Sequence, residues 1–576
     1  MSHLAVLPAE PDLRPVLAPP EVVVLKFGSS ILRSPADAPS VASEIYGHVR
    51  HGRKVVAVVS AFDGHTDRLL SDARALGLGH ENDLLPGYVA LGEEKAAAFA
   101  AIACDRIGLD AVALTVRELG IVAEGPLEHA HPCGLQGDRL REALARHDVV
   151  VVPGFGAVRP DGRVALLGRG GSDLTAVFLA AELGLSRVRL VKDVDGLYDR
   201  DPASASGTPL RYSRASWDVA LRLGGDLVQP GAIDLACERG LEIEVAALGR
   251  ADATVVGRQT APPGPAPKIE PVRVAVAGCG VVGGGLLARL LNDSRYEVVG
   301  VLVRNPTKAR DVACPAHLFT ADPVDLLGRR PDLVLEAMSE GAAGHALIRA
   351  ALERGIDVAS ANKQAISLDP AGLRDLAATN NAHLAYSAAV GGGAPMIETV
   401  RAARAVGRIT GFEAVLNGTV NFMLDRLGQG ASFEAALAEA RIAGFAEEDP
   451  SSDLEGHDSA AKVRLLAFEA FDRDLESDAV ALDALTPDSA PRREGVKQIG
   501  ACHQVDGVLV ARVSLDEGGA DPLFLGLRGE RNALKVFGEN GWTWMCKGRG
   551  AGRWPTTESV LADLADIVRL RRQRTA

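Results

Sequence analysis

From position 21 onward, short apolar runs alternate with Ala- and Leu-rich stretches of helical period. EVVVLKF, KVVAVVSAF, DVVVVPGF and RVRLVKDV read as strands, and their alternation with helical stretches predicts an α/β domain on a largely parallel sheet over 21–258. The proline-dense RQTAPPGPAPKIEP then breaks the rhythm and reads as a stiff extended linker over 259–271. VRVAVAG opens a second α/β domain over 272–407, continued by EVVGVLV, DLVLEAM, DVASAN and AHLAYSA. The pattern changes again at Arg408. ITGFEAVLNGTVNFMLDRL, further helices and strands such as VLVARVSL predict an α+β domain over 408–555. TTESVLADLADIVRLRRQ predicts a helix over 556–576 that packs back on the second domain. The opening MSHLAVLPAEPDLRPVLAPP lacks a basic region and a long apolar stretch, so 1–20 reads as a disordered segment rather than a signal peptide.

Composition narrows the class. A chain of 576 residues is too long for one core. Its net charge of −13 argues against nucleic-acid and anionic-membrane surfaces, and no apolar run approaches a membrane span. Seven cysteines, scattered and without C-x-x-C pairing, fit a reducing cytoplasm and give neither a zinc site nor a disulfide framework. Small molecules are the expected partners.

The candidate chemistry begins at G-C-G-V-V-G, directly after the first strand of the second domain and opening a helix. Gly278 permits the tight turn, Gly280 lets a pyrophosphate approach the backbone, and Gly283 lets helix and strand pack closely. The helix start at Val281 and Val282 favours phosphate charge. The next strand ends in Arg304 and Asn305, with Lys308 nearby. A cation there accommodates a 2′-phosphate where a carboxylate would bind the ribose hydroxyl, which favours NADP while leaving NAD open. Asn362 and Lys363 lie just past another strand end, the edge at which open α/β sheets bind ligands. Further along, six carboxylates (Glu447, Glu448, Asp449, Asp453, Glu455 and Asp458) crowd into twelve residues, and Lys462 follows Asp458 at i,i+4.

Taken in order, G-C-G-V-V-G, A-N-K, V-G-G-G-A-P, L-N-G-T-V-N, G-F-A-E-E-D-P-S-S-D-L-E-G-H-D-S-A-A-K, G-R-G-A-G and P-T-T-E-S-V are similar to homoserine dehydrogenase throughout 272–570. The resemblance implies a Rossmann dinucleotide-binding domain and a substrate and dimerisation domain. It implies a cofactor on the glycine turn, Asn362 and Gly552, and a substrate held by Glu447, Asp453, Asn417 and Thr419. It assigns proton transfer to Lys462 with Asp458, and a further substrate or catalytic role to Lys363. A monovalent cation, Na+ or K+, would sit on the carbonyls of Val390, Gly392 and Ala394. Ser387 stands where the family often has a glutamate beside that cation, which removes a charge from the site.

The first domain carries VVVLKFGSSIL, VVSAFDGHTDRLL, LGEEKAAA, LGRGGSDLTA and VKDVDGLYDRDP. Together they resemble the catalytic domain of aspartate kinase, with the amino-acid-kinase α/β/α fold. The resemblance implies ATP and Mg2+. Lys26 would stabilise the transferring phosphoryl group and Asp173 organise the site. Thr66, Glu93, Arg169 and Ser172 would contact aspartate, and Gly28, Asp193, Asp195 and Tyr198 would line the ATP pocket. Two departures oppose this: Ser29 replaces a glycine beside the phosphates, and Asp226 stands where a lysine would meet them. The paired regulatory ACT domains usual in aspartate kinases have no room before the linker.

The sequence therefore predicts an amino-acid-kinase-like domain, a Rossmann domain and an α+β substrate domain, expected in the cytoplasm as a homodimer or homotetramer. The expected activities are reduction of aspartate semialdehyde and phosphorylation of aspartate, which are not consecutive steps. The alternative for the first domain is a catalytically weak scaffold or ligand-binding domain.

Overall fold

The structure is a computed structural model that describes residues 20–77, 82–202, 208–224, 227–268, 270–446, 448–491, 493–516 and 521–575. The N-terminal segment up to residue 19 lies outside that description, as do Asp226 and Glu447. Among the described residues no helix is long and apolar enough to cross a membrane. The chain divides into two compact units. One comprises Glu21–Asn362, Asp375–Ala388 and Gly552–Ala576; the other contains Lys363–Arg374 and Ala389–Ala551.

In the first unit, an eight-stranded sheet is built from β1 (Val22–Phe27), β2 (Lys54–Val59), β3 (Ala111–Ala113), β4 (Val149–Pro153), β5 (Arg187–Lys192), β6 (Arg214–Ser216), β7 (Glu242–Ala247) and β8 (Ala253–Gly257). Their order is β6-β8-β7-β5-β1-β2-β4-β3, parallel except at β7–β8. Alternate residues of β1 enter opposite cores: Val24 packs with Val56 and Val150, whereas Leu25 and Phe27 pack with Val55 and Val149. A strand buried on both faces has no polar alternation, so it reads as an unbroken apolar run. A smaller four-stranded sheet (Ile121–Glu124, His131–Leu135, Gly156–Val158, Val164–Leu166) has no such run to announce it. Helices α1 (Ala38–Val49) and α2 (Leu85–Arg106) cover the Leu25 and Phe27 face, burying Ile45 and Ala97 there. A third, α3 (Gly171–Glu182), starts from a left-handed glycine, Gly170, and buries Val177 and Phe178 on the Val24 face. The proline-dense stretch after β8 is not a free spacer, because Gly264–Pro265 pairs antiparallel with Leu210–Arg211.

The same unit holds a second sheet of six parallel strands: β9 (Val272–Ala277), β10 (Tyr296–Leu302), β11 (Phe319–Thr320), β12 (Leu333–Glu336), β13 (Asp357–Ser360) and β14 (Leu384–Ala385). The order β11-β10-β9-β12-β13-β14 reverses direction beside β9, where a doubly wound sheet opens its ligand crevice. Helix α4 (Val281–Leu290) follows β9 directly. The last helix, Arg553–Thr575, buries Val560, Leu564 and Ile567 against Val274, Leu286 and Leu287. It also meets the first sheet's domain, where the Arg50 guanidinium just past α1 lies 2.7 Å from Asp563.

The other unit has its own sheet: β15 (Ile409–Val415), β16 (Val480–Leu482), β17 (Lys497–Val505), β18 (Val508–Asp516), β19 (Arg531–Gly538) and β20 (Thr543–Arg549), in the order β16-β18-β17-β15-β19-β20. It is antiparallel except at β16–β18. Helices α5 (Lys363–Ser367), α6 (Met396–Val406), α7 (Gly418–Gly428) and α8 (His457–Phe471) belong to this unit. Helix α8 rests Val463 against Gly500 of β17, where an added Cβ would come within 2.6 Å of the valine.

Candidate functional site

The glycine turn after β9 separates protein constraint from ligand constraint. Gly278 has φ +93°, and a Cβ there would lie 2.4 Å from the Ala337 carbonyl oxygen. A Cβ on Gly283 would lie 2.0 Å from the Gly278 carbonyl oxygen. Gly280 is different: its Cβ would meet no protein atom within 4 Å. Among the described residues no steric contact demands a glycine at 280, which leaves its backbone open on that side. The turn opens on a cavity of about 780 Å³ lined by Gly278, Gly280, Arg304, Lys308, Arg310 and Glu340, among others. That volume suits a dinucleotide. Val281 is exposed at the helix start, Val282 is half-buried, and Gly552, with φ +109°, precedes the last helix. Arg304 and Lys308 are exposed on the wall of the cavity.

Asn362 is fixed by a residue that sequence reading overlooked. Glu336 ends β12, fully buried. It accepts from Asn362 Nδ2 at 3.2 Å, from Ser360 Oγ at 2.6 Å and from the Met338 amide at 2.9 Å. Burial pushes its carboxyl above the usual range, and the three donors oppose that shift.

In the other unit, the crowd of carboxylates sorts itself. Glu448, Asp449 and Glu455 are exposed, and Asp449 accepts from the Ser451 amide at 3.1 Å. Asp458 is buried at the start of α8. One of its oxygens meets Lys462 Nζ at 2.7 Å and Asn417 Nδ2 at 3.0 Å; the other meets Lys363 Nζ at 2.9 Å. Burial would raise the Asp458 carboxyl, but Lys462 and then Lys363 outweigh it and hold the group well below the usual range. Lys462 also donates to the Leu416 carbonyl at 2.7 Å, and that oxygen accepts from Asn532 Nδ2 at 3.2 Å. Asn417 caps α7 through the Val420 amide at 3.0 Å and donates to Asp453 at 2.8 Å, so one helix cap positions two carboxylates. Thr419 is buried and donates to the Phe445 carbonyl at 2.7 Å, a contact that ties down the chain leading into the carboxylate-rich segment.

The V-G-G-G-A-P turn gives Gly391 φ +85° and Gly392 φ +58°, and a Cβ on Gly392 would lie 2.5 Å from the Gly550 carbonyl oxygen. Val390 and Ala394 are buried, and the Ala394 carbonyl accepts from the Met396 amide at 2.8 Å. Ser387 is engaged elsewhere. Its amide and hydroxyl bind Asp563 at 3.0 and 2.8 Å, and Arg50 donates to its hydroxyl at 3.3 Å. A glutamate at 387 would bring a second carboxylate into the buried Arg50–Asp563 pair.

In the first domain, a cavity of about 760 Å³ gathers Lys26, Gly28, Thr66, Glu93, Arg169 and Ser172. Asp173 Oδ1 lies 2.7 Å from Lys26 Nζ. Glu93 is buried on α2 with its Oε2 unpartnered among the described residues, and burial pushes its carboxyl up to about 8. Ser172 is buried and Arg169 exposed. Asp193, Asp195 and Tyr198 do not line this cavity; Tyr198 donates to Asp195 at 2.7 Å. Lys192, which sequence reading did not single out, does line it. Glu336 shares with Lys26 a signal that could have found it, an ionisable side chain at or near the C-terminal end of an otherwise apolar parallel strand; Lys192 ends a strand that also carries Arg187 and Arg189 and does not stand out in that way.

Residues 395–565 match the family model for homoserine dehydrogenase, 278–387 that for the homoserine dehydrogenase NAD binding domain, and 21–245 that for the amino acid kinase family. The homoserine dehydrogenase of Pseudomonas aeruginosa is 32% identical over 321 residues, spanning 52% of this chain and 73% of that protein. The NAD(+)-dependent homoserine dehydrogenase of Pseudomonas canavaninivorans is 36% identical over 256 residues, spanning 42% of this chain and 72% of that protein. Among solved structures, a homoserine dehydrogenase from Thiobacillus denitrificans is 29% identical with a TM-score of 0.49, covering 53% of this chain and 74% of that one.

Proposed function

The chain belongs to the homoserine dehydrogenase family, and from that premise we propose that it reduces L-aspartate 4-semialdehyde to L-homoserine with NADPH, and that its amino acid kinase domain phosphorylates L-aspartate. The observation that carries the first activity is Asp458 held between Lys462 and Lys363. A nicotinamide dinucleotide, when bound, supplies the hydride. The protein must then deliver a proton to the alkoxide that forms. Lys462 is suited to that role: Asp458 and the Leu416 carbonyl fix the position of its side-chain nitrogen. Lys363, Asn417, Asp453 and Glu447 orient the substrate, and Thr419 supports the segment that carries them. Arg304 and Lys308 favour the 2′-phosphate of NADPH, while Asn362, held by Glu336, sets the ligand edge of its sheet. The test is oxidation of NADPH, and separately of NADH, by purified protein with aspartate semialdehyde. No oxidation of either cofactor would overturn the assignment.

The kinase activity uses ATP and Mg2+, with Lys26 and Asp173 on the phosphoryl group and Thr66, Glu93, Arg169 and Ser172 on aspartate. A second role for the same domain is favoured by a specific contact: Arg50, Asp563 and Ser387 form a buried network that braces the dinucleotide-binding domain. We place the protein in the cytoplasm as a homodimer or homotetramer, a reading that sedimentation would test.

A further inference from the structure

The phosphate side of the first domain holds one more cation than its carboxylate needs. Asp173 Oδ1 lies 2.7 Å from Lys26 Nζ, and Asp173 Oδ2 lies 2.9 Å from Lys192 Nζ. All three side chains are buried, at 8%, 3% and 11% exposure for Lys26, Asp173 and Lys192. Two ammonium groups meet this one carboxylate, and neighbouring Asp193 offsets only part of the second charge, its attraction for Lys192 being smaller than the repulsion from Lys26. Lys26 alone would neutralise Asp173, and burying a second cation is costly unless something pairs with it. The cost is visible: burial, then repulsion from Lys26, pulls the Lys192 ammonium down to about 8.

The position of Lys192 says what would pair with it. β1 and β5 are adjacent and parallel, with Phe27 opposite Val191, so Lys192 follows at the C-terminal edge beside Gly28. That edge is where open parallel sheets receive ligands. Lys26, Gly28, Gly170, Gly171, Asp173 and Lys192 all line the 760 Å³ cavity, as does exposed Arg169. Two cations, bare glycine backbone and the start of α3 converge on one end of the cavity, an arrangement suited to a polyphosphate. A charge already present on β5 also answers the objection raised by Asp226.

We propose that Lys192 is the second phosphate-binding cation of the kinase site, taking the terminal phosphates of MgATP together with Lys26. The inference rests on the kinase reading above. In the transfer, an oxygen of the aspartate side-chain carboxylate bonds to the γ-phosphorus, the bond from that phosphorus to the β–γ bridging oxygen breaks, and ADP departs with the bond electrons. Lys192 remains an ammonium throughout, and no proton changes hands. Its part is to neutralise charge that shifts onto the bridging oxygen.

The experiment uses the full chain as wild type, Lys192→Thr and Lys192→Arg. It measures aspartyl hydroxamate formation from MgATP and aspartate, MgATP affinity by calorimetry, and dehydrogenase turnover as the control for folding. Loss of hydroxamate formation by about 10²-fold or more in Lys192→Thr, with weakened MgATP binding, partial recovery in Lys192→Arg and unchanged dehydrogenase turnover, is the expected result. Robust wild-type kinase activity that Lys192→Thr retains within threefold would overturn the role of Lys192 while leaving the kinase reading intact. A wild type that neither binds MgATP nor forms hydroxamate would overturn the kinase reading itself, and this inference with it.

Discussion

At Lys462 the question is whether an i,i+4 pair on a helix is a surface ornament or a working group. An exposed pair of that spacing contributes a few tenths of a kcal/mol. Here the lysine is largely buried, fixed by a carboxylate and a backbone carbonyl, so Lys462→Ala is expected to lower kcat by about 10²–10⁴-fold with cofactor affinity nearly intact. Survival of activity within threefold would reduce it to an ion-pair partner. Arg304→Asp should reverse a preference for NADPH over NADH in kcat/KM; equal ratios before and after would remove Arg304 from the 2′-phosphate. Glu93 carries a pH signature. Its folded value of about 8 lies above the ordinary 4.5, so the folded protein holds a proton there that the unfolded chain releases. Stability contributed by this group is therefore full below about 4.5 and lost as pH rises toward about 8. Glu93→Gln should flatten that dependence, raising the melting temperature at pH 8 relative to pH 5. An unchanged difference between wild type and variant would show that Glu93 ionises normally.

The glycine turn and its helix test the element scale. Gly283→Ala should destabilise the protein and weaken cofactor binding together, because the added methyl would collide with the Gly278 carbonyl at 2.0 Å. Gly280→Ala meets no protein atom within 4 Å, so its melting temperature should stay near wild type while cofactor affinity falls. If the two variants behaved alike, the turn would not be divided between packing and ligand. The packing tasks of Gly278 and Gly283 were legible in the sequence, since the G-x-G-x-x-G spacing after a strand assigns each glycine a separate steric task. The long parallel strands were equally legible, because burial on both faces leaves an unbroken apolar run. Strands such as Gly156–Val158 were not, being three residues long with no pattern to repeat. Lys192 escaped for another reason. Its meaning depends on β5 lying beside β1, a pairing between segments far apart in the chain that no local pattern encodes.

At the scale of the whole chain, the first domain, the dinucleotide domain and the last helix share one unit. The sequence suggested a linker between separate modules, and the residues that oppose that picture are single charges whose pairing no local pattern shows: Arg50, Glu558 and Asp563. Arg50→Ala would take the guanidinium from the Asp563 carboxylate, buried and 513 positions away in the chain, and should cost about 3–5 kcal/mol of stability in this unit. A melting temperature unchanged by the substitution would make the brace dispensable. The same separation has a consequence during synthesis. Helix α1 leaves the ribosome long before its partners Glu558 and Asp563, the latter made 513 residues after Arg50. At about 5–20 residues per second the interval is roughly half a minute to two minutes. Throughout that time the nascent first domain presents Arg50 and an open docking face to the cell. The interface that braces the finished unit is thus an exposed surface while the chain is being made, and a stalled or truncated chain would go on displaying it to chaperones and proteases.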